Sequence, residues 1–127
     1  MSIIGAHVSA AGGVMNAIPR AQDLGVTAIQ IFASPPSNWN PPKATLEEGK
    51  TFGQAARKAG VSHIFFHSIY LINLATDNPE LLAKSKQSLI SALNLNAAMM
   101  GNGVIFHVGS SKERTFKDAR DGAAKNI

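Results

Sequence analysis

With four histidines and no cysteine in 127 residues, this chain has few ways to do metal or acid–base chemistry. Without a thiol, neither a disulfide nor a thiolate metal site can form, so any metal must sit on His, Asp or Glu. Three histidines close short apolar runs: His7 in SIIGAH, His67 in HIFFH and His107 in VIFH, whereas His63 stands at the opposite end of its run. If the last two runs are neighbouring parallel strands about 5 Å apart, His67 and His107 can converge on one cation at ~2 Å from each nitrogen. For each histidine alone the competing reading is an imidazole hydrogen-bonded at a strand end. Two ligands do not complete a site, since a catalytic zinc takes three protein ligands plus water and a multi-metal centre adds bridging carboxylates. Asp23, Glu47, Glu48, Glu80, Glu113, Asp118 and Asp121 fall in or at the start of helical stretches, and Asp77 in the loop before one. None ends a strand. The remaining ligands are expected beyond Ile127 or from another chain.

The elements that position these residues follow a repeated grammar of helix, glycine and β-branched run: DLGVTAIQIF, KAGVSHIFFH and MMGNGVIFHV. Gly25, Gly60 and Gly101 sit where a helix end needs a left-handed residue. The runs after them, with the opening one, predict strands Ile3–His7, Ala28–Phe32, His63–His67 and Val104–His107, apolar enough to be buried on both faces. Helix starts are marked by Thr45 with Glu48 as a capping box and by Asn78 before Pro79. Four β-then-α units imply a parallel sheet with right-handed crossovers. A closed (β/α)8 barrel and an open doubly wound sheet both fit, and a full barrel typically needs ~250 residues. KERTFKDARDGAAKNI reads as a helix without a Gly or Pro stop, which favours a fragment. An unpaired half leaves the edges of the first and fourth strands open, so poor solubility is expected.

The loops after the strands supply further candidates. SAAGG resembles a phosphate-cradling turn, with Ser9, Gly12 and Gly13 exposing backbone N–H groups, although a tight strand-to-helix turn would look the same. It matches neither GxGxxG nor GxxxxGK[ST]. SIYLINL places Tyr70 and Leu71 on the face of His67, where they can wedge into a base stack or cap a core. Trp39, in the proline-rich stretch from Ala33 to Lys43, can stack on nucleic acid or anchor its loop. The net charge of +4 suits a polyanionic partner, but the basic residues are scattered and also read as solvated helix faces. No signal peptide or spanning segment is evident, so a soluble, cytoplasmic protein is expected.

Taken together, GAHVSAAGG, HSIYLINLA and FHVGS resemble the N-terminal half of the endonuclease IV family of apurinic/apyrimidinic endonucleases, along the whole chain. The resemblance implies an α/β (β/α)8 TIM barrel of which residues 1–127 hold the first four β/α units, half of a xylose-isomerase-like barrel with no second domain. It implies three zinc ions and hydrolysis of the phosphodiester 5′ to an abasic site in double-stranded DNA, leaving a 3′-hydroxyl. His67 and His107 resemble two ligands of one zinc, Tyr70 and Leu71 the wedge, and Ser9, Gly12, Asn38 and Trp39 parts of DNA-contacting loops. A bridging glutamate would lie about thirty-five residues beyond His107, so the missing half or a second chain must complete the site. His7 becomes a candidate for supporting a ligand from behind. Ser37 stands where the family often has arginine, and Val108 where it has proline. Two other readings stay open: a sugar isomerase or epimerase on a related barrel, and a non-catalytic half-barrel remnant.

Overall fold

The four apolar runs form one parallel sheet in the order β1-β2-β3-β4, in a computed structural model that describes residues 3–32 and 34–127. Ala33, the first residue of the proline-rich stretch, lies outside the described residues. The strands are β1 (Gly5–His7), β2 (Ala28–Phe32), β3 (His63–His67) and β4 (Gly103–Ile105). The helices are α1 (Ala17–Asp23), α2 (Leu46–Lys58), α3 (Pro79–Ala98) and α4 (Phe116–Asn126). The register pairs Phe32 with His67 and His67 with Ile105, which brings the strand ends level on one edge.

Alternation along the strands divides the sheet into two faces. Ile29, Ile31, Ile64 and Phe66 point to the helices and pack with Ile18 of α1, Phe52 of α2 and Leu95 of α3. On the opposite face Gln30, Phe32 and Phe65 are half-buried, while His7 and Ile105 are exposed. Burial on both faces was the expectation, and it fails for β1 and β4, each of which has one neighbouring strand.

Three local boundaries also differ from expectation. Strand β1 begins at Gly5, and Ile3 and Ile4 are exposed. Strand β4 ends at Ile105, two residues before His107, because the loop after β3 takes over its partners: Ser68 N–H donates to the Ile105 carbonyl at 2.9 Å and Leu74 N–H to that of Val108 at 2.8 Å. Gly25 and Gly60 adopt the expected left-handed backbone, but Met100 takes that role in place of Gly101. Gly101 serves close approach instead, since a Cβ there would run into the Asn96 side chain and lie 2.9 Å from the Phe66 ring. The terminal helix starts at Phe116, capped by Thr115, with Glu113 in the turn before it and Lys112 left-handed. Among the described residues no helix is long and apolar enough to cross a membrane.

The capping box on α2 is present: the Thr45 hydroxyl accepts from Glu48 N–H at 3.1 Å and the Glu48 carboxylate from Thr45 N–H at 2.7 Å. That backbone hydrogen bond, with the Thr45 hydroxyl, holds the Glu48 carboxyl below its ordinary value. A lowered folded-state pKa stabilises above the unfolded value and loses that contribution as acid protonates the group. Thr45→Ala is expected to cost about 1 kcal/mol near neutral pH. In urea titrations the gap between the variant and wild type should narrow without closing as pH falls through the Glu48 transition, since only the bond from the Thr45 hydroxyl to the carboxylate is weakened by protonation. A constant gap would mean that this bond contributes nothing.

Candidate functional site

At the level strand ends, aromatic and imidazole rings run across the sheet. Ring centres lie 4.8 Å apart for His7 and Phe32, 5.0 Å for Phe32 and His67, and 5.2 Å for His67 and His107. Tyr70 stands over this row, 5.3 Å from Phe32, 5.7 Å from His67 and 5.8 Å from His107. His67 is buried and Tyr70 is 55% exposed, so the row has a fixed base and a projecting cover.

The orientation of His67 follows from the backbone of the next residue. Its Nδ1 donates to the Ser68 carbonyl at 2.7 Å, which leaves the Nε2 lone pair free. Two imidazoles bound tetrahedrally through nitrogen at ~2.1 Å have ring centres ~5 Å apart. The His67–His107 separation of 5.2 Å therefore fits a shared zinc, although His107 reaches the position from a loop and not from a strand end. Among the described residues no three His, Asp or Glu side chains group as a metal site.

The loop candidates divide. Tyr70 N–H donates to the Pro36 carbonyl at 2.8 Å, tying the loop after β3 to the proline-rich one. Leu71 and Trp39 both pack against a second core of Ile69, Ile72 and Leu74. Of the two residues expected to form a wedge, Tyr70 is the one left exposed, and Trp39 anchors its loop. Asn38 is exposed, its side-chain oxygen accepting from Asn40 N–H at 2.8 Å.

The SAAGG turn is more internally bonded than a free anion cradle. Ser9 Oγ accepts from Ala11 N–H at 3.1 Å and Gly13 N–H donates to the Ala10 carbonyl at 3.0 Å. Gly12 has φ +83°, and a one-turn 3-10 helix, Val14–Asn16, follows where an α-helix start was expected. Arg20 of α1 donates to the carbonyls of Ser9 and Ala11, clamping the turn. His7 pairs with Gln30, its Nδ1 2.7 Å from the side-chain amide nitrogen, and meets the Phe32 ring. Gln30 and Phe32 were missed by the sequence reading, though they lie at the same strand ends that drew attention to the histidines; Arg20 left no readable signal.

Residues 18–127 match the xylose isomerase-like TIM barrel family, and the chain belongs to that family. Within it the chain is similar to the endonuclease IV proteins. It is 36% identical over 109 residues to a protein of Persephonella marina named probable endonuclease 4, covering 86% of this chain and 38% of that one. The crystal structure of endonuclease IV from Thermus thermophilus is 35% identical with a TM-score of 0.80, covering 96% of this chain and 45% of that one. D-psicose 3-epimerase from Clostridium cellulolyticum has a TM-score of 0.72 at 13% identity, over 96% of this chain and 45% of that one, a likeness of fold alone. The chain spans less than half the length of each of these proteins. The expected likeness to endonuclease IV and a parallel partial barrel are both upheld.

Proposed function

We propose that this chain is the N-terminal half of a zinc-dependent DNA-repair endonuclease barrel that hydrolyses the phosphodiester 5′ to abasic sites and leaves a 3′-hydroxyl. The observation that carries the reading is the His67–His107 pair at metal-sharing distance beneath an exposed Tyr70, in a chain 35% identical to a solved endonuclease IV. His67 and His107 would hold the metal, with the other ligands coming from outside these 127 residues. Bound zinc supplies Lewis acidity toward a phosphodiester. His67 is pre-oriented by Ser68, so its lone pair needs no reorganisation when a cation arrives.

Tyr70 is the residue that reads the lesion. Its ring is exposed but its backbone is pinned to Pro36, which lets it stack in the gap left by a lost base without ordering a mobile loop. Extruding a nucleotide costs least where pairing is already gone, which favours abasic DNA. Leu71, the next residue, rests on the second core.

Fluorescence anisotropy with zinc present, comparing a duplex carrying a tetrahydrofuran abasic analogue with an intact one, tests this. The chain should prefer the abasic duplex, and Tyr70→Ala should lower that affinity about 5- to 150-fold, the worth of one stacking contact. Equal binding of both duplexes by the wild-type chain would sink the reading.

A further inference from the structure

Two histidines at the strand ends carry their ring protons on opposite nitrogens. His67 Nδ1 faces a carbonyl, which only accepts, so Nδ1 keeps the proton and Nε2 the lone pair. His7 Nδ1 faces the Gln30 amide nitrogen, which only donates, so Nδ1 accepts and the proton sits on Nε2. The first arrangement makes a metal ligand, and the second an uncharged hydrogen-bond donor. The sheet itself delivers Gln30, which pairs with His7 in the β1–β2 register. Phe32 lies between the rings of His7 and His67 and holds the His7 plane.

His7 is exposed and borders a cleft of about 1320 Å³ at the ends of β1 and β2, together with Ser9, Gly12 and Lys43. Glu47 and Glu48 of α2 also border it. A donor-only group here matches an acceptor-only ligand, and the oxygens of a nucleic-acid backbone are acceptors. We propose that His7, held by Gln30 as its Nε2–H tautomer, is a neutral donor that binds a non-bridging phosphate oxygen of the strand lying in this cleft. The proposal rests on the nucleic-acid reading above and deepens it. A neutral donor displaces no counterion, so it strengthens binding without steepening the salt dependence, unlike Lys43.

Two measurements on the full chain test this. Anisotropy titrations over a salt series should show His7→Phe, which keeps the ring on Phe32, losing about tenfold in affinity on abasic and intact duplexes alike, with the salt slope unchanged. Lys43→Ala should instead lower the slope by about one. Nitrogen-15 spectra of the imidazoles should place the proton on Nε2 in His7 and on Nδ1 in His67, and dimethyl phosphate should shift the His7 Nε2 resonance. Unchanged affinity in His7→Phe, a reduced slope in that variant, a proton on His7 Nδ1, or a His7 Nε2 unmoved by dimethyl phosphate would each overturn the proposal. A shift with dimethyl phosphate in a chain that binds neither duplex would uphold the donor site and remove the DNA reading.

Discussion

Gly49→Ala is expected to destabilise the chain by about 1–2 kcal/mol net, while Gly122→Ala stabilises it by roughly 0.5–1 kcal/mol. Both glycines lie within helices, where exchange for alanine gains up to ~1 kcal/mol from backbone entropy. Gly49 cannot realise that gain. A Cβ there would lie 2.5 Å from the Ala98 carbonyl oxygen and 2.7 Å from its carbon, both backbone atoms at the end of α3. One turn on, a Cβ at Gly53 would lie 2.9 Å from the Met99 carbonyl oxygen, so α2 meets the end of α3 across two glycines. Parting the two backbones costs about 1–3 kcal/mol, more than the helix gains. At Gly122 the nearest atom is Arg114 Nη1 at 3.6 Å, an ordinary contact. Urea midpoints for the two single variants should move in opposite directions; a stabilised Gly49→Ala would mean that the helices are not in backbone contact.

Removing either His67 or His107 should abolish zinc uptake almost as fully as removing both. The 5.2 Å ring separation lets two imidazoles share a cation, and a lone survivor binds no better than any free histidine. Equilibrium dialysis with metal analysis should show each single alanine variant weakened at least about tenfold, with little added in the double variant. His63→Ala should bind as wild type, because His63 sits at the far end of β3 with its Nδ1 paired to Ser62. Additive losses would mean that the two rings bind separately. Acidification should weaken binding, since a ligating imidazole must be neutral.

The order of elements and the parallel register were readable from sequence because they rest on short-range signals. Glycine after a helix, β-branched runs and two explicit caps are local chemistry, and Thr45, Asn78, Gly25 and Gly60 behave as that chemistry requires. What depended on partners distant in sequence was less readable. VIFH has the apolar character of a strand, yet the pairing ends at Ile105. On either side of Phe106 and His107 the carbonyls of Ile105 and Val108 accept from Ser68 and Leu74 of the loop after β3. Gly101 resembles the other helix-end glycines, but the Asn96 side chain and the fully buried Phe66 ring decide its role. At the candidate site, histidines stood out by residue type, whereas Gln30 and Phe32 needed the β1–β2–β3 register to show that they neighbour His7 and His67. Whether an exposed-looking aromatic projects or packs is a tertiary matter, and Trp39 and Tyr70 divide on it.

The sheet bears on how such proteins are assembled from parts. All its strands point the same way, and each outer strand, β1 or β4, has one hydrogen-bonded neighbour. Closure therefore asks only for a complementary set of strands whose first runs beside β4 and whose last runs beside β1, in the same direction. Neither His67 nor Tyr70 depends on a residue from that set for its position, because Ser68, Phe32 and Pro36 already orient them. The unit is thus suited to exchange: a different complementary set of strands can be joined to these edges while the placement of His67 and Tyr70 is inherited intact.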